Sequence, residues 1–171
     1  MKFFTLFITF LMFATITYAN DKENKVKGVI LSRISQFVTY ESGKRQFTIC
    51  VYDDKSMSSS LEKLYKDKEH NGVPIKIVNI SENESIPRCD IFYVDDPSSK
   101  LIRELKKTSS QYTLLVSDSV EDLDDGFMLA LYIKSNKINI AINQQALVDA
   151  NLKVNYRLLK VATKIVNPVK N

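Results

Sequence analysis

Short β-forming apolar runs alternate along this chain with stretches of helical periodicity, and that alternation leaves few folds open. Phe47–Tyr52, Ile75–Ile80, Ile91–Val94 and Tyr112–Val116 are the apolar runs. The last is almost continuously apolar, as expected for a central strand covered on both faces. Between them, Val26, Val29, Ile30, Ile34, Phe37 and Val38 recur at helical spacing and predict a helix from Lys25 to about Tyr40. Leu61, Leu64 and Tyr65 predict a second over Ser58–Lys66, and Pro97-Ser98-Ser99 opens a third that runs to Lys107. After Gly126 the pattern changes. Phe127–Lys134 and Lys137–Ile142 are strands joined by Ser135-Asn136, a two-residue hairpin signal, and Gln144–Ala150 and Val154–Val166 are expected as closing helices. Strand–helix alternation implies an α/β fold with a mostly parallel sheet, here carrying an antiparallel C-terminal hairpin.

The N-terminus constrains the address. Met1-Lys2 supplies a positive start, Phe3–Thr17 is apolar, and Thr17-Tyr18-Ala19 places small residues at −3 and −1 of a cleavage site. A membrane anchor is the alternative, but a span needs roughly 20 apolar residues and this run is shorter. The expected organisation is a cleaved signal peptide at 1–19 followed by a single domain at 20–171, outside the cytoplasm and its ATP and NAD pools. The net charge of +4 is mild and the signs are mixed, with no basic stripe interleaved with aromatics, so nucleic acid is not an expected partner. Cys50 and Cys89 form an even pair in an oxidising compartment and are a disulfide candidate; two buried free thiols are the alternative.

Three acidic groups follow predicted strands directly: Asp53-Asp54, Asp95-Asp96 and Asp118. Parallel strands bring their carboxyl ends to one edge, where α/β sheets bind ligands, so these carboxylates could converge. The arrangement is similar to a response-regulator receiver, but phosphoryl donors are cytoplasmic and the last two strands depart from five βα units. Helix caps and a solvated rim, a cation site and a partner-binding rim are the readings left for these five residues. Asp118–Gly126 has a superficial calcium-loop look, with Leu129 where an EF-hand needs glutamate. His70 lies in the polar run Lys66–Asn71 and is expected as a solvated loop residue; a lone histidine makes no recognisable zinc site. With four glycines in the chain and no phosphate-binding glycine motif, no nucleotide loop, catalytic residue, metal or cofactor is expected.

Several of these stretches together resemble the YfiR-like family of bacterial periplasmic proteins. Lys27, Val29–Leu31 and Phe37-Val38-Thr39-Tyr40 are similar to its opening helix, with Tyr40 and Glu41 replacing a Trp-Pro end. Ile49-Cys50-Val51 resembles its first strand, Cys89-Asp90-Ile91-Phe92-Tyr93 its later cysteine-led strand, and Leu114-Leu115-Val116-Ser117-Asp118 its leucine-rich one. Asp125-Gly126-Phe127-Met128 resembles the next entry segment, lacking one of two glycines. The closing stretch is the most specific: Ile138–Asn143, Ala146, Leu152-Lys153 and Leu158–Ala162 keep the family's order and spacing. Asn151 stands where the family has glycine and tolerates left-handed geometry, and Asn155-Tyr156 replace a Ser-Ser pair.

The resemblance implies a three-layer α/β fold, a periplasmic location, regulation rather than catalysis, and a homodimer. It also implies a disulfide, which falls on Cys50 and Cys89 here. Its functional implication is restraint of an inner-membrane diguanylate cyclase through that enzyme's periplasmic sensor part, lowering cyclic-di-GMP and with it biofilm signalling. The alternative expectation is a small-ligand or accessory binding module working with a membrane sensor kinase or outer-membrane receptor.

Overall fold

The computed structural model describes residues 22–40, 43, 45–108 and 111–166; the leader expected over 1–19 lies outside them. Helix α1 (22–35) buries Asn24, Lys27, Leu31, Ile34 and Ser35, one stripe of a 3.6-residue repeat. Strand β1 (Val38–Thr39), β2 (Phe47–Tyr52), α2 (Lys55–Tyr65), β3 (Glu69–His70), β4 (Val73–Ile80), β5 (Ile91–Val94), α3 (Ser99–Thr108) and β6 (Leu114–Ser117) follow. A 3-10 turn at Glu121–Leu123 leads to β7 (Leu129–Lys134), β8 (Lys137–Asn143), α4 (Gln144–Asp149), β9 (Lys153–Val154), α5 (Tyr156–Val161) and β10 (Lys164–Val166).

Eight strands form one sheet in the order β10-β8-β7-β6-β5-β2-β4-β3, and β1 pairs with β9 in a separate ribbon. Strands β4, β2, β5, β6 and β7 run parallel, while the β7–β8 and β3–β4 pairs are antiparallel. The chain starts this ladder in the middle, at β2, steps outward to β4, and returns to the other side of β2 as β5. Side chains in register share a face, so Val51, Tyr93, Val116 and Leu129 line one side of the sheet. Helices α1 and α2 cover that side, with Gly28 of α1 against Leu61 and Leu64: a Cβ there would come within 3.0 Å of the Leu61 side chain. Cys50, Phe92 and Leu115 line the opposite side, and Leu105 of α3 shares a cleft with Phe92. The result is a three-layer α/β fold with a mostly parallel sheet and an antiparallel hairpin.

Capping explains several boundaries. Asp54 accepts from Met57 N (2.8 Å), so α2 starts at Lys55, earlier than the expected Ser58. Asn143 accepts from Ala146 N (3.0 Å) and donates to the Leu123 carbonyl (2.8 Å), which starts α4 and fastens it to the 3-10 turn. Ser135 and Asn136 both have positive φ (53° and 56°), the backbone of a two-residue hairpin turn. Asn151 also has positive φ, 56°, a left-handed geometry that asparagine tolerates.

Three expectations are corrected. The closing helix expected over Val154–Val166 is only Tyr156–Val161: Val154 pairs with Val38, and Thr163 N donates to the Ile140 carbonyl (2.8 Å), starting β10 beside β8. Thr163, Ile165 and Val166 are β-branched, and an open sheet edge draws such residues into a strand. The first helix ends at residue 35, short of Tyr40, because Val38 and Thr39 are used by β1. His70 is not a solvated loop residue. It is buried in β3, stacked on Phe47 (centroids 4.0 Å apart) and edge-on to Tyr40 (5.5 Å), and burial lowers its pKa. The Asn71-Gly72 turn, with φ of 51° and 81°, brings the polar run back as a hairpin.

Cys50 and Cys89 are joined by a disulfide with Cα atoms 5.9 Å apart, tying β2 to the segment entering β5. The two residues are 39 apart in sequence. Chain entropy for a loop of that length predicts that Cys50→Ala/Cys89→Ala loses about 4 kcal/mol, read as a lowered urea midpoint with a steeper slope, because the unbridged denatured chain is more expanded. A double variant as stable as the parent would show that the bridge contributes nothing.

Candidate functional site

Because β2, β5 and β6 are parallel, the residues after them reach one edge of the sheet, and α1 crosses that edge. Asp118 leaves β6, half-buried; its Oδ1 accepts from the Tyr93 hydroxyl of β5 (2.5 Å), and its Oδ2 from the Lys27 ammonium of α1. Lys27 also pairs with Glu23 one turn earlier (2.5 Å), and its side chain is 4% exposed. Beside this cluster Asn24 Nδ2 donates to Ser56 Oγ (3.1 Å), tying α1 to the first turn of α2. A buried ammonium is tolerated only when paired, and here two carboxylates meet it.

The electrostatics follow from that geometry. Burial pushes the Asp118 carboxyl up to about 6, against the hydrogen bonds from Lys27 and Tyr93 that pull it down. Burial would lower the Lys27 pKa, but its bonds to Asp118 and Glu23 outweigh this and raise it. Burial, with the Asp118 charge next, holds the Tyr93 hydroxyl far above its ordinary range, so it stays protonated and donates to Asp118. Asp54 and Asp95 lie within electrostatic reach of this cluster.

The five acidic residues singled out in the sequence therefore separate by role. Asp118 is an ion-pair partner and Asp54 an N-cap. Asp53 has φ of 49° and donates its backbone N–H to the Ile80 carbonyl, a turn role, while Asp95 is exposed and Asp96 exposed with φ of 48°. Among the described residues, no group of three or more His, Cys, Asp and Glu side chains is placed to hold a metal ion. The calcium-like segment is a packing element: Leu123 is fully buried inside its 3-10 turn. Lys27 is the site residue that composition and spacing did not single out. Its signal is a lysine on the apolar stripe of an amphipathic helix, in step with Leu31 and Ile34. At the opposite, amino edge of the sheet a 620 Å³ cleft lies between Tyr40, Tyr112, Val148 and Leu152.

The cluster makes a signed pH prediction. Native Asp118 takes up a proton near pH 6 while the unfolded carboxyl waits until about 3.9, so the native state gains relative stability as pH falls through that window. The parent should gain on Asp118→Asn between pH 6 and 4, by on the order of 2 kcal/mol in urea unfolding. A gap constant with pH would refute the shifted carboxyl. At pH 7.5, Lys27→Met should cost about 3 kcal/mol by leaving Asp118 without its cation, and Lys27→Met/Asp118→Leu should recover most of it.

Comparison with known proteins now adds identity to geometry. Curated proteins offer no match to the chain. Among solved structures, the ABC domain from Streptococcus pneumonia in complex with L-Trp aligns with a TM-score of 0.44 and 10% identity, over 70% of this chain and 55% of that chain. A likeness of that level carries no argument. The sequence profile described as YfiR/HmsC-like matches residues 24–163, from the first turn of α1 to the residue before β10. That span takes in Lys27, both cysteines and all five acidic residues, and the chain belongs to the YfiR/HmsC-like family.

Proposed function

We propose that this protein is a periplasmic regulator that restrains an inner-membrane diguanylate cyclase by binding its periplasmic sensor part, and so lowers cyclic-di-GMP. The observation that carries the reading is family membership over residues 24–163, since the family's role is regulatory. The site is consistent with binding rather than turnover. Helix α1 lies across the carboxyl edge, where open α/β sheets admit ligands, and the most buried charged groups there are spent on one another. No helix among the described residues is long and apolar enough to cross a membrane. The reading includes removal of residues 1–19 on export and a homodimer as the regulatory unit.

Deleting the gene should raise cellular cyclic-di-GMP severalfold, and supplying the full-length chain should return it to the parental level. The same chain with residues 1–19 removed, and therefore retained in the cytoplasm, should not restore it. Unchanged cyclic-di-GMP in the deletion strain would overturn the proposal.

A further inference from the structure

Charge is not evenly spread along this chain. Residues 127–171 carry seven basic side chains against the single acid Asp149, while residues 20–126 carry sixteen against nineteen. Asp149 is held by Gln145 on α4 (2.9 Å). The fold gathers five of these seven at one end of the sheet, in the β7–β8 hairpin, α5 and β10. Lys134, Lys137, Arg157, Lys160 and Lys164 are all exposed there, Lys164 within reach of the Glu121 charge.

Two features separate this end from an ordinary solvated rim. Exposed apolar side chains are interleaved with the lysines: Ile133 (52% exposed), Tyr156 (59%), Val161 (59%) and Ile165 (44%). Ile133 stands beside Ile138, and Ile165 beside Ile142, so both exposed isoleucines lie on one face of the sheet, while Lys134, Lys137 and Lys164, each one residue out of step, lie on the other. The second feature is an uncompensated cost. Lys134 and Lys137 face each other as a cross-strand pair at the hairpin tip, and like charges in that position are destabilising. The tip also projects: Ala130 pairs with Ser117, the last residue of β6, and β7 continues to Lys134.

We propose that this end is a docking surface for an anionic bilayer, with the lysines and Arg157 at phosphate headgroups and the isoleucines, Val161 and Tyr156 at the headgroup–acyl boundary. An unfavourable lysine pair at the hairpin tip is relieved by an anionic plane, and an end with lysines on one face and isoleucines on the other suits, approached edge-on, a surface that is charged outside and apolar beneath. Charge asymmetry of this kind also fits nucleic acid, but the exposed aliphatic side chains would there face phosphate and water. The proposal goes beyond the cyclase reading: it states how the protein is held at the membrane.

The test is co-sedimentation of the mature chain with vesicles. Binding is expected to phosphatidylglycerol vesicles and not to phosphatidylcholine vesicles, and to weaken as salt rises. Lys134→Glu/Lys137→Glu/Lys160→Glu should weaken it by about 100-fold. Lys63→Glu/Lys66→Glu/Lys68→Glu, on exposed residues of α2 and the turn after it, changes net charge equally and should bind within a few-fold of the parent. Ile133→Ser/Val161→Ser should lower binding while keeping its salt dependence. Failure to bind phosphatidylglycerol vesicles overturns the proposal and leaves an acidic protein as the occupant to seek; equal loss in both lysine variants also overturns it. No cyclase is present in this assay, so its failure is distinct from failure of the regulatory reading.

Discussion

One lysine sets the terms for how this fold closes. Lys27 lies on the buried stripe of α1, and taking an ammonium out of water costs several kcal/mol unless its partners are already in place. Those partners come from three places: Glu23 on the same helix, Asp118 beyond β6, and through Asp118 the hydroxyl of Tyr93 on β5. Helix α1 can therefore sit in one position only. A purely apolar helix could slide along the sheet by a turn with little penalty, whereas a turn's shift here would strand both charges. With α1 set in place, Gly28 meets Leu61 and Leu64, Asn24 meets Ser56, and the layer of α1 and α2 is complete.

The cluster also accounts for an asymmetry between the carboxyl edge of the sheet and its interior. At the carboxyl edge the contacts are ionic and respond to pH. Deeper in the sheet, β2 and the entry to β5 are joined by Cys50–Cys89, which does not. Two neighbouring interior strands of the ladder are thus held covalently as well as by their hydrogen bonds, while the helix over the carboxyl edge is held by groups that titrate. Burial of both cysteines, at 0% and 4% exposure, keeps the bridge away from solvent reductants.

Much of this fold was legible in the sequence because central parallel strands are buried on both faces and read as unbroken apolar runs. Ile91–Val94 and Leu114–Val116 could hardly be anything else. Legibility failed where tertiary partners decide. The two-residue ribbon of Val38 and Val154 has no local signature, and Leu158, Ala162 and Ile165 satisfy a helical period although only the first lies within a helix. His70 reads as a loop residue because polar neighbours mark a loop, while its burial comes from Phe47 and Tyr40 upstream. The acidic residues after the strands looked alike in sequence. What distinguishes Asp118 is a lysine 91 residues away, and no local pattern carries that information.

That separation bears on the order in which the structure can be assembled. In a chain that emerges N-terminus first, α1 appears before any of its partners except Glu23. Its tie to Ser56 waits for 32 more residues, its ion pair with Asp118 for 91, and the β1–β9 ribbon after it for Lys153 and Val154. Loop-closure cost rises only slowly with such distances, so the delay is one of availability rather than of energy. Helix α1, made before the rest of the fold, is among the last elements to be fastened. Until then its apolar stripe and its lysine are open to whatever receives a newly made chain.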